Sequence, residues 1–283
     1  MAGLASLVQG SAPNVPDVHT QVFTTKSADG TEISMHWFAK TGGSSEPGPV
    51  VLHIHGGGMI AGDVAITAPV VMNMVSETGV PFLSIEYRLA PEVQAPKPLE
   101  DCYAGLQYLV SNAQKLNIDT SRIGIMGESA GGGLAACLAH YAKEKSGPAI
   151  KKQILIYPML DDRNTKPDPH IEPYAVWSYE ANATGWGALL GEAVGKPGVP
   201  VTHAAGRMTV EQAQGLPPAF IDVGQLDAFR DEDLDYALKL SQAGVDVEFH
   251  LYPGVPHAFQ ALAPQSEWTK MANAHRAKAI CSL

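Results

Sequence analysis

Two stretches of alternating apolar and polar residues, 18–24 and 31–38, flank the dipeptide Asp29-Gly30. Period-two alternation around Asp-Gly predicts an antiparallel hairpin. After a Gly/Ser/Pro-rich linker, 41–48, the pattern changes to short apolar runs at 49–55, 80–87, 122–126, 153–157, 219–223 and 247–251, as expected of strands covered on both faces. Helical patterns separate them. Residues 65–78 end at Gly79, and Leu99, Cys102, Tyr103, Leu106, Leu109 and Val110 recur at helical spacing behind Pro98. A small-residue run covers 132–141, and 231–243 has an acidic first turn and Gly244 behind it. Trp268, Met271, Ala272, His275 and Ala279 mark one stripe of a terminal helix. Strand alternating with helix predicts an α/β fold with a mostly parallel sheet and helices on both faces.

Between 160 and 216 the alternation fails, with prolines at 167, 169, 173, 197 and 200 and the aromatics Tyr174, Trp177, Tyr179 and Trp186. The stretch is too long for an ordinary connection and reads as a lid lying over the sheet. Its aromatics could line a pocket or form a small core of their own. Pattern alone weighs these equally.

Candidate chemistry sits where strands end. Gly127-Glu128-Ser129-Ala130-Gly131 falls between the run 122–126 and the small-residue helix, the strand–turn–helix setting in which G-x-S-x-G exposes a nucleophilic serine. His55-Gly56-Gly57-Gly58 follows the run 49–55. Glycines there let backbone N–H groups approach a developing oxyanion, which makes Gly57, Gly58 and Ala130 the candidate donors. Asp227 follows 219–223 and His257 follows 247–251; both lie beyond carboxyl ends of strands, where sites in parallel sheets assemble. The order Ser129, Asp227, His257 supplies a nucleophile, an orienting carboxylate and a base. Among competitors, Asp222 lies within a strand, while Asp231, Glu232 and Asp233 serve the start of the next helix. His53 and His55 share a strand face, but no third metal ligand stands out, so no metal is expected. His36, His140 and His250 read as structural or exposed.

Composition narrows the function classes. The 283 residues are 45% hydrophobic and 17% charged, as in globular proteins. The net charge of −10 argues against nucleic acid or an anionic membrane as partner. Lys143, Lys145, Lys151 and Lys152 form the single basic cluster, at a helix end. Cys102, Cys137 and Cys281 are too scattered for a disulfide framework. The N-terminal apolar run is too short for a signal peptide, and no stretch is long enough for a bilayer. A soluble, cytoplasmic protein is the expectation.

His55-Gly-Gly-Gly, Tyr87-Arg-Leu-Ala-Pro-Glu92, Gly127-Glu-Ser-Ala-Gly-Gly, Asp227 with Asp231-Glu232, and His257-Ala-Phe259 together resemble the hormone-sensitive lipase family of carboxylesterases. That resemblance implies an α/β-hydrolase fold, a Ser129/Asp227/His257 triad, an oxyanion hole of glycine amides and a small-molecule ester substrate, with no cofactor. It further implies a small cap built from residues 1–17 and an insertion at 161–215, over a core of 18–160 and 216–283. Homodimers through edge strands occur in the family, so a homodimer is admitted. Two positions depart from its pattern: Glu128 stands where aspartate is commoner, and Met59 where an aromatic often follows the glycines. Met59, Glu128, Tyr174, Trp177 and Trp186 are the expected pocket residues. Short acyl esters are the expected substrates, because no amphipathic interfacial helix is evident. A lactonase, an amide hydrolase, an acyltransferase or a cyclase could use the same triad, and a non-catalytic binding protein could use the same fold.

Overall fold

The computed structural model describes residues 15–283; the expected cap segment at 1–17 falls almost wholly outside the described residues. Strands β1 (Val18–Lys26) and β2 (Glu32–Lys40) form the expected hairpin, with Val18 opposite Lys40 and Lys26 opposite Glu32. They join β3 (Gly48–Ile54), β4 (Phe82–Ile85), β5 (Ile118–Glu128), β6 (Lys152–Ile156), β7 (Ala219–Leu226) and β8 (Val247–Pro256) in one sheet of order β1-β2-β4-β3-β5-β6-β7-β8. β2 is antiparallel to both its neighbours, and from β4 onward every pairing is parallel. Strand β5 sits at the centre, so its carboxyl end lies where loops from both halves converge.

Helices cover both faces, as the alternation predicts. Helix α1 (Val64–Thr78) begins where the Asp63 carboxylate accepts the Ile66 amide at 2.8 Å and ends at Gly79, φ 71°. Helix α2 spans Lys97–Ser111, with short α3 (Ala113–Leu116) behind it, and α4 spans Ala130–Glu144. The insertion holds α5 (Tyr179–Leu190) and α6 (Val210–Ala213); α7 (Arg230–Gln242), α8 (Phe259–Leu262) and α9 (Glu267–Cys281) complete the chain. Val50, Leu52 and Ile54 of β3 pack with α2, α4 and α7, whereas Val51 packs with α1 and α9. Runs that read as uniformly apolar are thus two interleaved faces, each buried by its own helices.

Three expectations needed correction. Helix α5 lies inside the stretch read as pattern-free, because Tyr179–Leu190 is rich in glycine and alanine and shows almost no polar face. β5 begins at Ile118 and β8 continues to Pro256, the first extended by the polar residues Asp119, Thr120 and Ser121 and the second running on through Pro253 and Gly254, which read as a strand end. On α9 the buried residues are Thr269, Ala272, Arg276, Ala279 and Ile280, while Trp268 and Met271 are exposed. A buried arginine occupies the stripe, so apolarity placed its centre one residue away.

Candidate active site

Strand β5 delivers Ser129 in a backbone conformation of φ 56°, ψ −121°, a region strained for any residue with a Cβ. The turn is held open from both sides. A Cβ on Gly127 would lie 2.3 Å from the Gly131 carbonyl, and one on Gly131 would lie 2.0 Å from the Ile54 oxygen. Ser129 N–H donates to Ile156 O at 2.9 Å, and its carbonyl accepts from Gly133 and Met159. Hydrogen bonds and glycine contacts therefore offset the strain and fix the elbow between β3, β6 and α4.

The structure brings the three candidate side chains together. His257 Nε2 lies 3.0 Å from Ser129 Oγ, and its Nδ1 lies 2.7 Å from Asp227 Oδ2. Asp227 is fully buried, Ser129 and His257 nearly so, and Asp227 Oδ1 accepts the Phe229 amide at 3.0 Å. An ionised carboxylate only accepts, so Nδ1 carries the proton and Nε2 is left to accept from the serine hydroxyl. Two rings wall the imidazole: Tyr157 meets it edge-on with centroids 4.6 Å apart, and Phe229 at 5.2 Å.

The glycine loop after β3 lies directly against this elbow. A Cβ on Gly56 would stand 2.9 Å from Glu128 O and 3.4 Å from the Ser129 Cβ. Gly57 and Gly58 adopt φ of 126° and 63°, and a Cβ on Gly57 would fall 1.9 Å from Ala61 O. Amides of Gly57, Gly58 and Ala130 have no hydrogen-bond partner among the described residues. Tyr87 stacks on His55 at 4.3 Å and donates its hydroxyl to His55 O at 3.0 Å. Burial pushes the His55 imidazole down to about 4, against a smaller opposing effect of its bond to Gly56 O, so His55 is a neutral post for the loop at neutral pH. His53 is engaged elsewhere, with Ser84 Oγ at 2.9 Å and Glu128 Oε2 at 3.0 Å.

The expected pocket residues separate. Trp177 lies on Gly58, whose Cβ would be 2.3 Å from the indole Cη2. Met59 is buried beside the same loop with φ 65°, and its terminal methyl approaches Gly133 on α4. Trp186 is fully buried in the main core, Tyr174 is 59% exposed, and Glu128 is tied to His53. Asp231 fits its helix-start role, with Arg230 at 2.7 Å, but Glu232 and Asp233 do not. Both face inward: Glu232 accepts the amides of Leu160 and Asp161 and the Asn164 side chain, pinning the root of the insertion, and Asp233 is completely buried. Tyr157, Phe229 and Arg276 around His257 had no motif to announce them.

Arg88 explains the Tyr87–Glu92 motif. It makes paired bonds to buried Asp101 at 2.9 and 2.7 Å and reaches Asp29 in the hairpin turn at 2.9 Å. Its guanidinium holds the Asp29 carboxyl well below the usual range. The motif thus ties the β1–β2 hairpin to the loop that carries Ala90, whose N–H donates to Met59 O at 2.8 Å.

With strand order, elbow and hydrogen-bonded triplet in place, the class is defined: residues 51–261 match the alpha/beta hydrolase fold family Abhydrolase_3, and the chain belongs to that family, of hormone-sensitive lipase type. The chain is 30% identical to an ethyl acetate hydrolase of Pseudomonas putida, over 76% of this chain and 67% of that protein. It is 32% identical to a carboxylesterase of Mycobacterium tuberculosis, over 75% and 66%, so it spans about two thirds of the length of each. Among solved structures, a bacterial heroin esterase superposes with a TM-score of 0.90 at 34% identity, covering 98% of this chain and 87% of that one. The relatives are esterases, and the chain is an enzyme of carboxylic ester hydrolysis. No helix among the described residues is long and apolar enough to cross a membrane.

Proposed function

We propose that the chain hydrolyses short-chain carboxylic esters through an acyl-enzyme on Ser129. Ser129 Oγ attacks the ester carbonyl carbon while His257 Nε2 takes its proton, and the resulting oxyanion accepts from the amides of Gly57, Gly58 and Ala130. Collapse of the tetrahedral species breaks the bond to the alkoxy oxygen, which leaves as the alcohol with the proton from His257. Water then attacks the acyl carbon, giving its proton to His257, and the acid departs as Ser129 recovers its hydrogen. Asp227 holds the imidazole tautomer and stabilises its cation. No metal or organic cofactor enters these steps.

One observation carries this reading: the unbroken chain Ser129–His257–Asp227, at 3.0 and 2.7 Å, beside three N–H groups that no described residue uses. Trp177 seated on Gly58 supports a short acyl group, since it narrows the space over the oxyanion donors. Buried thiols at Cys102 and Cys137 support a reducing, cytoplasmic setting. Ser129→Ala is expected to cut turnover of p-nitrophenyl acetate by about 10⁶, and Asp227→Asn by about 10³ to 10⁴. Turnover retained in Ser129→Ala would overturn the assignment, and faster turnover of palmitate than acetate esters would overturn the chain-length reading.

A further inference from the structure

Behind the His257 loop, on the α1/α9 face of the sheet, Arg276 of α9 and Asp222 of β7 form an ion pair that the hydrolytic steps do not use. Arg276 is 2% exposed and Asp222 not at all. The guanidinium donates to Asp222 Oδ2 from Nε at 2.7 Å and to Oδ1 from Nη2 at 2.9 Å. Its central carbon lies 5.7 Å from the centroid of Tyr157 and 5.8 Å from that of Phe259. Tyr157 is the ring packed edge-on against His257, and Phe259, two residues beyond His257, opens helix α8.

Two more bonds tighten this arrangement. Tyr157 N–H donates to Asp222 O at 2.6 Å, with Tyr157 at φ 36°, and the Gln260 amide donates to the Tyr157 hydroxyl. One buried residue pair therefore touches both the wall of the imidazole and the segment that carries it. We propose that the Asp222–Arg276 pair is a clamp that positions His257, pressing Tyr157 and Phe259 into place from behind the sheet.

The chemistry suits an arginine and no other side chain. A guanidinium can donate two parallel bonds to a carboxylate while its plane attracts aromatic faces, whereas an ammonium offers no fork. Asp222 makes the clamp neutral overall, so His257 sees no uncompensated cation. The titratable groups in contact with the imidazole are Asp227 after β7 and Tyr157 after β6; Glu128 at the end of β5 lies near Tyr157, Asp233 on α7 near Asp227, and Tyr252 on β8 near the Asp222–Arg276 pair. None of them supplies a second cation.

The proposal rests on His257 as the general base, and its test separates the two ideas. In wild-type protein, a phosphonate probe that labels Ser129 reports the triad; the clamp is read from variants. Asp222→Asn leaves Arg276 charged, since a guanidinium keeps its proton, and should move the acid limb of the kcat/KM profile down by about half to one pH unit. Arg276→Lys keeps the charge but loses fork and plane: kcat should fall by about tenfold to a hundredfold, with KM changed by less than about threefold and the limb unmoved. The double variant Asp222→Asn, Arg276→Met should return the limb to its wild-type position while kcat stays low. Melting temperature and phosphonate titration count the folded sites in each. Should Arg276→Lys fail to fold, the near-isosteric Asp222→Asn still decides. Folded variants with wild-type kcat and an unmoved acid limb would overturn the clamp, whereas a wild type that resists the phosphonate would overturn the triad beneath it.

Discussion

The two flanks of Ser129 are built by different means. On the β3 side, backbone does the positioning: three consecutive glycines, two of them at positive φ, pass so close to the elbow and to Ala61 that a single Cβ would collide. On the β7–β8 side, side chains do it, with a buried carboxylate, two aromatic walls and an ion pair behind them. A backbone site tolerates no added atom but depends little on distant residues, whereas a side-chain site accepts local change but is sensitive to residues remote in sequence.

That contrast can be broken most sharply at Gly58. Gly58→Ala puts a methyl group into the Trp177 ring at a φ that disfavours it, and kcat is expected to fall by about 10² to 10³ in steady-state assays with p-nitrophenyl butyrate. Adding Trp177→Ala removes the collision but not the backbone strain, so partial recovery in the double variant would apportion the loss between the two. Next in size is the difference between two tryptophans of the insertion. Trp186→Ala empties a core position and should cost about 3 to 5 kcal/mol in chemical denaturation. Trp177→Ala should instead change the preference among acetate, butyrate and hexanoate esters, at a smaller cost in stability. Equal effects on chain length from both would mean that neither ring is specific to the site.

The smallest expected effect belongs to Asp233, whose two carboxylate oxygens are buried without a partner among the described residues. Burial first, then the nearby Glu232, Asp227 and Asp222 carboxylates, pushes its carboxyl well above the usual range. A folded-state value above the unfolded one makes this group destabilising as pH rises through the unfolded value, about 3.9, and the loss persists at neutral pH. Asp233→Asn should therefore gain in melting temperature relative to wild type at pH 7.5, with the gain shrinking toward pH 4. A constant difference across that range would count against a neutral Asp233.

Most of the sheet was legible because each parallel strand is a short apolar run bounded by glycine, proline or a helical pattern. The elbow and the glycine loop were legible for a related reason: their geometry needs particular small residues at particular spacings, and those residues leave a mark in the chain. Glu232 shows the limit. Its place after Asp231 suggests a solvated helix start, yet the helical rotation turns it inward onto the amides of Leu160 and Asp161. Trp177 and Trp186 look alike in sequence and join the same core, and only packing seats one against Gly58 at its edge and encloses the other completely. Helix α5 escaped notice because a helix of small residues, with alanine and glycine on its buried and its open sides alike, carries no clear amphipathic stripe.

By itself the sequence determined the order of the strands and of most of the long helices, the turn that carries Ser129, the glycines beside it, and Asp227 and His257 as the residues that complete the hydrogen-bonded triplet. These follow from local rules of backbone freedom and hydrophobic period, which act over a few residues. Tertiary structure alone decided that Arg276, 147 positions beyond Ser129, lies behind the imidazole, that Asp222 neutralises it, and that Tyr157 stands between. Contacts of that kind depend on how β6, β7 and α9 cross in space, and no periodicity within any one of them records the crossing.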